Sequence, residues 1–132
     1  MLKVQQTIFN NEGLKGNCFT ACVASILELP IEAVPNWFAL YGEQWRDHAE
    51  YWLNEHGYAL VSIRETALDM LRCLSKGPLV IITGTSPRGA FRHAVVGKLI
   101  ACGTALQFIH DPHPDGTFLA EGSRTIYLLA RR

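Results

Sequence analysis

Apolar residues recur at positions 18, 19, 22, 23, 26 and 27, the spacing that gathers side chains along one side of an α-helix. Asn17, just before the run, is of a type that caps helix starts, and Pro30 after it cannot continue a helix. The pattern predicts a largely buried helix with Cys18 in its first turn. Residues 42–55 carry the same period, with Trp45, Ala49, Trp52 and Leu53 on one face and Gly57 past the end. A strand is expected over 58–63 and a third helix over 66–74. From Gly77 the character changes: 77–83, 91–100, 105–111 and 124–130 are short, β-rich segments separated by turns containing Gly, Pro or Ser. Helices first and an antiparallel sheet afterwards is an α+β arrangement.

Ahead of the first helix lies a polar stretch, expected to be extended through Gln5 and Gln6. A turn-rich segment, Asn10-Asn11-Glu12-Gly13, and a second glycine at Gly16 follow. No internal repeat, low-complexity tract or long linker divides the chain, so residues 1–132 are expected to form one domain around one core. With 48% apolar residues and a mean hydropathy of +0.09, the composition is that of a compact protein and not a disordered one. Twelve basic and twelve acidic residues cancel. Arg88 and Arg92 stand alone and Arg131-Arg132 is only a pair, so no basic stripe supports nucleic-acid binding. No apolar run approaches the ~20 residues of a membrane span, and no apolar signal core follows Lys3. The expected setting is the cytoplasm, where Cys18, Cys22, Cys73 and Cys102 are thiols and not a disulfide framework.

A thiol attacks as its thiolate, which a helix N-terminus and a neighbouring histidine both stabilise. Cys18 has the first of these from local sequence, and Gly16-Asn17 upstream opens the backbone around the sulfur. Taken alone, a helical cysteine is more often a small buried residue. Two later segments favour chemistry. His93 lies in a β-forming run, where alternation places it on one face with Val95 and Gly97. Asp111 ends an apolar run, and Pro112 turns the chain directly after it. If the chain reverses near Gly103, the two strands are antiparallel. His93 and Asp111 then fall near the same end, since both lie eight or nine residues from Ala101-Cys102. A carboxylate there can bond the imidazole and set its tautomer.

A helix-starting cysteine, the string His93-Ala94-Val95-Val96 and the string Ile109-His110-Asp111-Pro112 together resemble the papain-like cysteine peptidases. The closest branch removes double-glycine leader peptides from bacteriocins and has stand-alone relatives. The resemblance spans roughly residues 5 to 130. It implies a papain-like fold and a Cys18–His93–Asp111 triad that cleaves a peptide or related amide bond through a thioester, with no cofactor or metal. Its substrate would be a peptide or protein. In that family a glutamine upstream of the cysteine donates to the oxyanion hole, together with the backbone N–H at the nucleophile. Gln5 and Gln6 are the candidates, and Gln6 is nearer the family spacing. That spacing is still longer here than is usual, and Phe19 stands where glycine is common, so the chemistry carries over and the leader-peptide substrate does not.

The same residues admit other roles. Cys18 and Cys22 lie one helical turn apart, and with His110 and His113 they could be read as zinc ligands, although closed zinc sites usually take cysteine pairs from tight turns. Cys22 is otherwise a core residue behind Cys18, or the nucleophile if the helix starts later. His48, His56 and His113 sit in polar contexts that suit surface or turn positions, and His110 should point away from Asp111. The segment 84–89 lacks the Gly-Lys-Ser/Thr string of a phosphate loop, no helix follows it, and it suits a turn or loop beside the cleft. Trp37, Trp45 and Trp52 suit core or cleft wall. Besides a hydrolase, an acyltransferase using the same thioester and a papain-fold module that only binds a peptide or protein remain open.

Overall fold

The computed structural model describes residues 1–9, 16–71, 77–100 and 105–132. Its helices are α1 (Cys18–Leu27), α2 (Trp37–Tyr41) and α3 (Trp45–Glu55), and its strands are β1 (Tyr58–Arg64), β2 (Leu79–Thr85), β3 (Arg92–Ile100), β4 (Ala105–His110) and β5 (Thr125–Arg131). All paired strands are antiparallel, in the spatial order β1-β5-β2-β3-β4. The expected α+β arrangement of helices on an antiparallel sheet is present. No single helix among the described residues is long and apolar enough to cross a membrane.

Helix α1 stops before Pro30. Glu28 takes a left-handed conformation (φ 58°, ψ 45°), and the N–H groups of Glu28 and Leu29 both return to Ala24 O. The helix expected over 42–55 begins later. Gly42, at φ 55° and ψ −124°, has a conformation open to glycine that breaks the chain between α2 and α3, and Gly42–Gln44 form only a 3₁₀ turn. The expected third helix is corrected as well. Glu65–Leu71 is 3₁₀ with a non-helical break at Ala67, and Glu65 N–H is spent on Arg124 O (3.0 Å), so the segment starts tied to its neighbour and not to a helical ladder. Residues 72–74 of that expectation, and the turn near Gly103, lie outside the described residues.

The central strands are buried on both faces, which explains their continuous apolar runs. Ile81, Val96, Tyr127 and Leu129 pack against Phe19, Cys22 and Val23 of α1 and Leu53 of α3. Val80, Ile82, Val95, Leu99 and Ile126 form a second cluster with Leu119. Phe19 centres the first cluster. It is fully buried, with its ring edge-on to those of Trp37, Phe38, Trp45 and Tyr127 at centroid distances of 6.3, 5.9, 5.0 and 5.3 Å. Truncating a phenylalanine so buried costs about 3–5 kcal/mol. This packing seats the start of α1 against β3, which sets the site.

Candidate active site

The N-terminal segment is tied down along its length. Val4 N–H donates to Ser25 Oγ (3.1 Å) and Val4 O accepts His110 Nε2–H (2.7 Å). Gln6 N–H donates to Pro112 O (3.0 Å), and Asn17 Oδ1 accepts the N–H groups of Thr7 and Ile8 (both 2.9 Å). Asn17 therefore does not cap α1 as the sequence suggests. Its side chain is spent on the neighbouring strand, and no side-chain cap closes the helix at Cys18. His110 points away from Asp111, as alternation requires, and serves to fasten Val4.

His93 stands opposite Gly84 near the start of β3, beyond Val96, the last β3 residue paired with β4. At this end the loop carrying Asp111 replaces β4. A register shift between Val96 and Gly97 gives β4 one extra residue before the chain leaves the sheet at His110. His93 Nε2 meets Asp111 Oδ1 at 2.7 Å, with the two side chains 3% and 1% exposed. The imidazole also interacts with Cys18, and with Nε2 spent on Asp111, Nδ1 is the ring nitrogen left to face the sulfur. Asp111 is held further by the N–H groups of His113 on Oδ1 (2.9 Å) and Phe118 on Oδ2 (2.8 Å).

Burial of the His93 ring pushes its pKa down. The hydrogen bonds to Asp111 and Cys18, and the negative charge of both, outweigh that and raise it from 6.5 to about 9. Burial likewise pushes the Asp111 carboxyl up, but the bonds from His93 and from the His113 and Phe118 N–H groups, with the His93 charge, hold it below the ordinary range. The pair is thus poised as carboxylate and imidazolium, with Nε2–H donating. Cys22 differs sharply. It is fully buried, and burial, then the charges of Cys18 and Asp111, push its thiol well up. Cys22 is a core residue and no rival nucleophile, whereas Cys18 is partly exposed. Cys73 and Cys102 lie outside the described residues.

Cys18 and His93 open onto a cleft of about 400 Å³ whose walls include Gln6, Phe9, Phe38, Phe91 and His113. Gln6 and Gln5 part company here. Gln6 is buried at the cleft and its Nε2 donates to Ile8 O (3.0 Å), while Gln5 is exposed and does not line it. Gln6 Oε1 is buried without a hydrogen-bond partner among the described residues. His113 belongs to a turn, as its context suggests, yet its ring lies in the cleft, 6.4 Å from that of His93 and edge-on to Phe9 at 5.1 Å. Gly84 and Thr85 of the expected turn belong to β2, and the turn that follows them contributes Arg88 to the lining, which Arg92 joins. Reading in sequence missed this meeting of Phe9, Phe38 and the stretch holding Arg88, Phe91 and Arg92, because they come from three separate places along the chain with no shared spacing. Trp37 is buried, Trp45 stacks on Phe38 (4.5 Å) and Trp52 on His56 (3.7 Å).

Among the described residues no group of three or more His, Cys, Asp and Glu side chains is arranged to hold a metal. His110 is committed to Val4 O, and Cys22 is sealed in the core. Comparison of the chain with protein-family models, with curated proteins and with solved structures finds no match.

Proposed function

We propose that the chain is a papain-like cysteine hydrolase that cleaves a peptide or related amide bond. The observation that carries this reading is the grouping of Cys18, His93 and Asp111: a partly exposed thiol interacting with a buried imidazole whose Nε2 meets a carboxylate at 2.7 Å. In the proposed mechanism the Cys18 thiolate attacks the scissile carbonyl carbon, and His93 is the imidazolium. The oxyanion that forms takes hydrogen bonds from the Cys18 backbone N–H and from Gln6. The Gln6 amide has two N–H donors, of which one is spent on Ile8 O, so the second is left for the cleft. Collapse breaks the C–N bond, His93 protonates the departing amine, and a Cys18 thioester remains. Water then attacks with neutral His93 as its base and releases the acid and the thiol.

The test is brief alkylation with iodoacetamide at pH 6 followed by peptide mapping, alongside hydrolysis of a mixed peptide library. Cys18 should react faster than Cys22, Cys73 and Cys102, and Cys18→Ala should abolish cleavage. Selective labelling of another cysteine, or a library left intact by the wild type, would remove the proposal; an intact library together with retained peptide binding would identify a binding module.

A further inference from the structure

Among the described residues the charges around the cleft do not cancel. Arg88 reaches both oxygens of Asp115 (3.0 and 3.2 Å) and Thr117 Oγ1 (3.0 Å), so its charge is met. The His93 charge is met by Asp111 and Cys18. Arg92 is different. Its guanidinium donates to Ser123 O (3.2 Å) and Thr83 O (3.4 Å), two neutral carbonyls that orient the group without neutralising it. A guanidinium carries five N–H donors, so three have no partner among the described residues, on an exposed side chain at the cleft wall. No Asp or Glu among the described residues lines that wall. The same wall is faced by Phe9, Phe38 and Phe91, which offer an apolar surface.

We infer that the cleft selects a peptide carrying a carboxylate side chain beside an apolar residue at the scissile bond, with Arg92 binding the carboxylate and the phenylalanines the apolar residue. This deepens the cysteine-hydrolase reading and rests on it. An oriented arginine with unspent donors meets a carboxylate through charge-assisted, fork-shaped bonds that neither a neutral amide nor an ammonium reproduces. A lysine at the same substrate position is repelled.

The experiment uses three peptidyl acyloxymethyl ketones, identical except for Glu, Gln or Lys beside a phenylalanine, and reads the second-order rate of Cys18 modification. Wild type should rank them Glu, Gln, Lys, with a roughly fivefold step between Glu and Gln, as for a partly exposed ion pair, that narrows in 0.5 M salt by about the amount screening allows. Arg92→Lys should keep the order and Arg92→Glu should reverse it. Because each variant is judged by a ratio of rates, a general loss of reactivity does not mimic the result. Equal rates for the three probes, or an order that survives Arg92→Glu, overturns the inference while leaving selective Cys18 chemistry intact. Failure of iodoacetamide to single out Cys18 in the wild type overturns the hydrolase reading and this inference with it.

Discussion

Asn17 Oδ1 accepts the backbone N–H groups of both Thr7 and Ile8 at 2.9 Å, so the residue directly before the proposed nucleophile holds the segment that carries Gln6. Its Nδ2 completes the tie at Thr7 Oγ1, also 2.9 Å. A side chain that the sequence suggests is capping a helix is instead a clamp between two parts of one site.

Replacing Asn17 tests the clamp. Asn17→Ala leaves two backbone donors without their acceptor and should cost about 1–3 kcal/mol in urea unfolding. Turnover should fall further than stability accounts for, because Gln6 loses its anchorage. Asn17→Asp keeps the acceptor and should recover most of both. An alanine variant with unchanged unfolding midpoint and unchanged kcat would show that the clamp is dispensable.

Gln6 and Gln5 should separate cleanly. Gln6→Ala should lower kcat by roughly a hundredfold or more, the usual effect of removing an oxyanion donor, while iodoacetamide still labels Cys18. Gln5→Ala, on an exposed side chain outside the cleft, should behave as wild type. Equal turnover in all three proteins would move the donor elsewhere.

Much of this site was legible in the sequence, and the reasons differ residue by residue. The helical period around Cys18 and the apolar runs of the strands mark elements to within two or three residues, because burial on one or both faces leaves a local pattern. Counting back from one reversal was enough to bring His93 near Asp111, since hairpin pairing is local. Strand order was not legible: β5 sits between β1 and β2, a choice made by contacts distant in sequence. Helix α2 is too short to show a period. Asn17 was misjudged because capping preference is local while its partners, Thr7 and Ile8, are brought to it by the fold. Spacing favours Gln6 over Gln5 by a single residue, and burial separates them.

The site should also leave its mark on stability against pH. His93 has a folded pKa raised from 6.5 to about 9, so its contribution is whole below pH 6.5 and is lost as pH rises through about 9. At 1.36 kcal/mol per unit, this amounts to about 3 kcal/mol at most. Asp111 runs the other way: its folded pKa is depressed from 3.8, so its contribution is whole above that value and is lost as pH falls through the folded pKa. Wild-type stability, measured by urea unfolding relative to His93→Asn, should therefore be highest between about pH 4 and 6.5 and should decline toward pH 10. A difference between the two proteins that is flat from pH 6 to 10 would contradict the raised His93 value.

Substitution at Asp111 separates orientation from charge. The carboxylate receives three donors: His93 Nε2–H and His113 N–H on Oδ1, and Phe118 N–H on Oδ2. The side chain thus holds the backbone at two loop positions, and the loop's geometry depends on it. Asp111→Asn can keep Oδ1 toward His93 and His113 but turns an amide N–H toward Phe118 N–H, so one donor loses its partner. That variant should keep the ring oriented, retain measurable turnover and lose about 1–3 kcal/mol of stability. Without the negative charge that helps raise the His93 pKa, the alkaline limb of its pH–rate profile should move to lower pH. Asp111→Ala leaves all three donors unmet and should lose more of both activity and stability. His93→Ala should abolish turnover, because no group remains to pair with the sulfur or protonate the leaving amine, and its Cys18 alkylation at pH 6 should slow by roughly tenfold or more. A fully active Asp111→Ala protein with an unshifted profile would reduce the proposed triad to a Cys–His dyad, and turnover by His93→Ala would remove the mechanism.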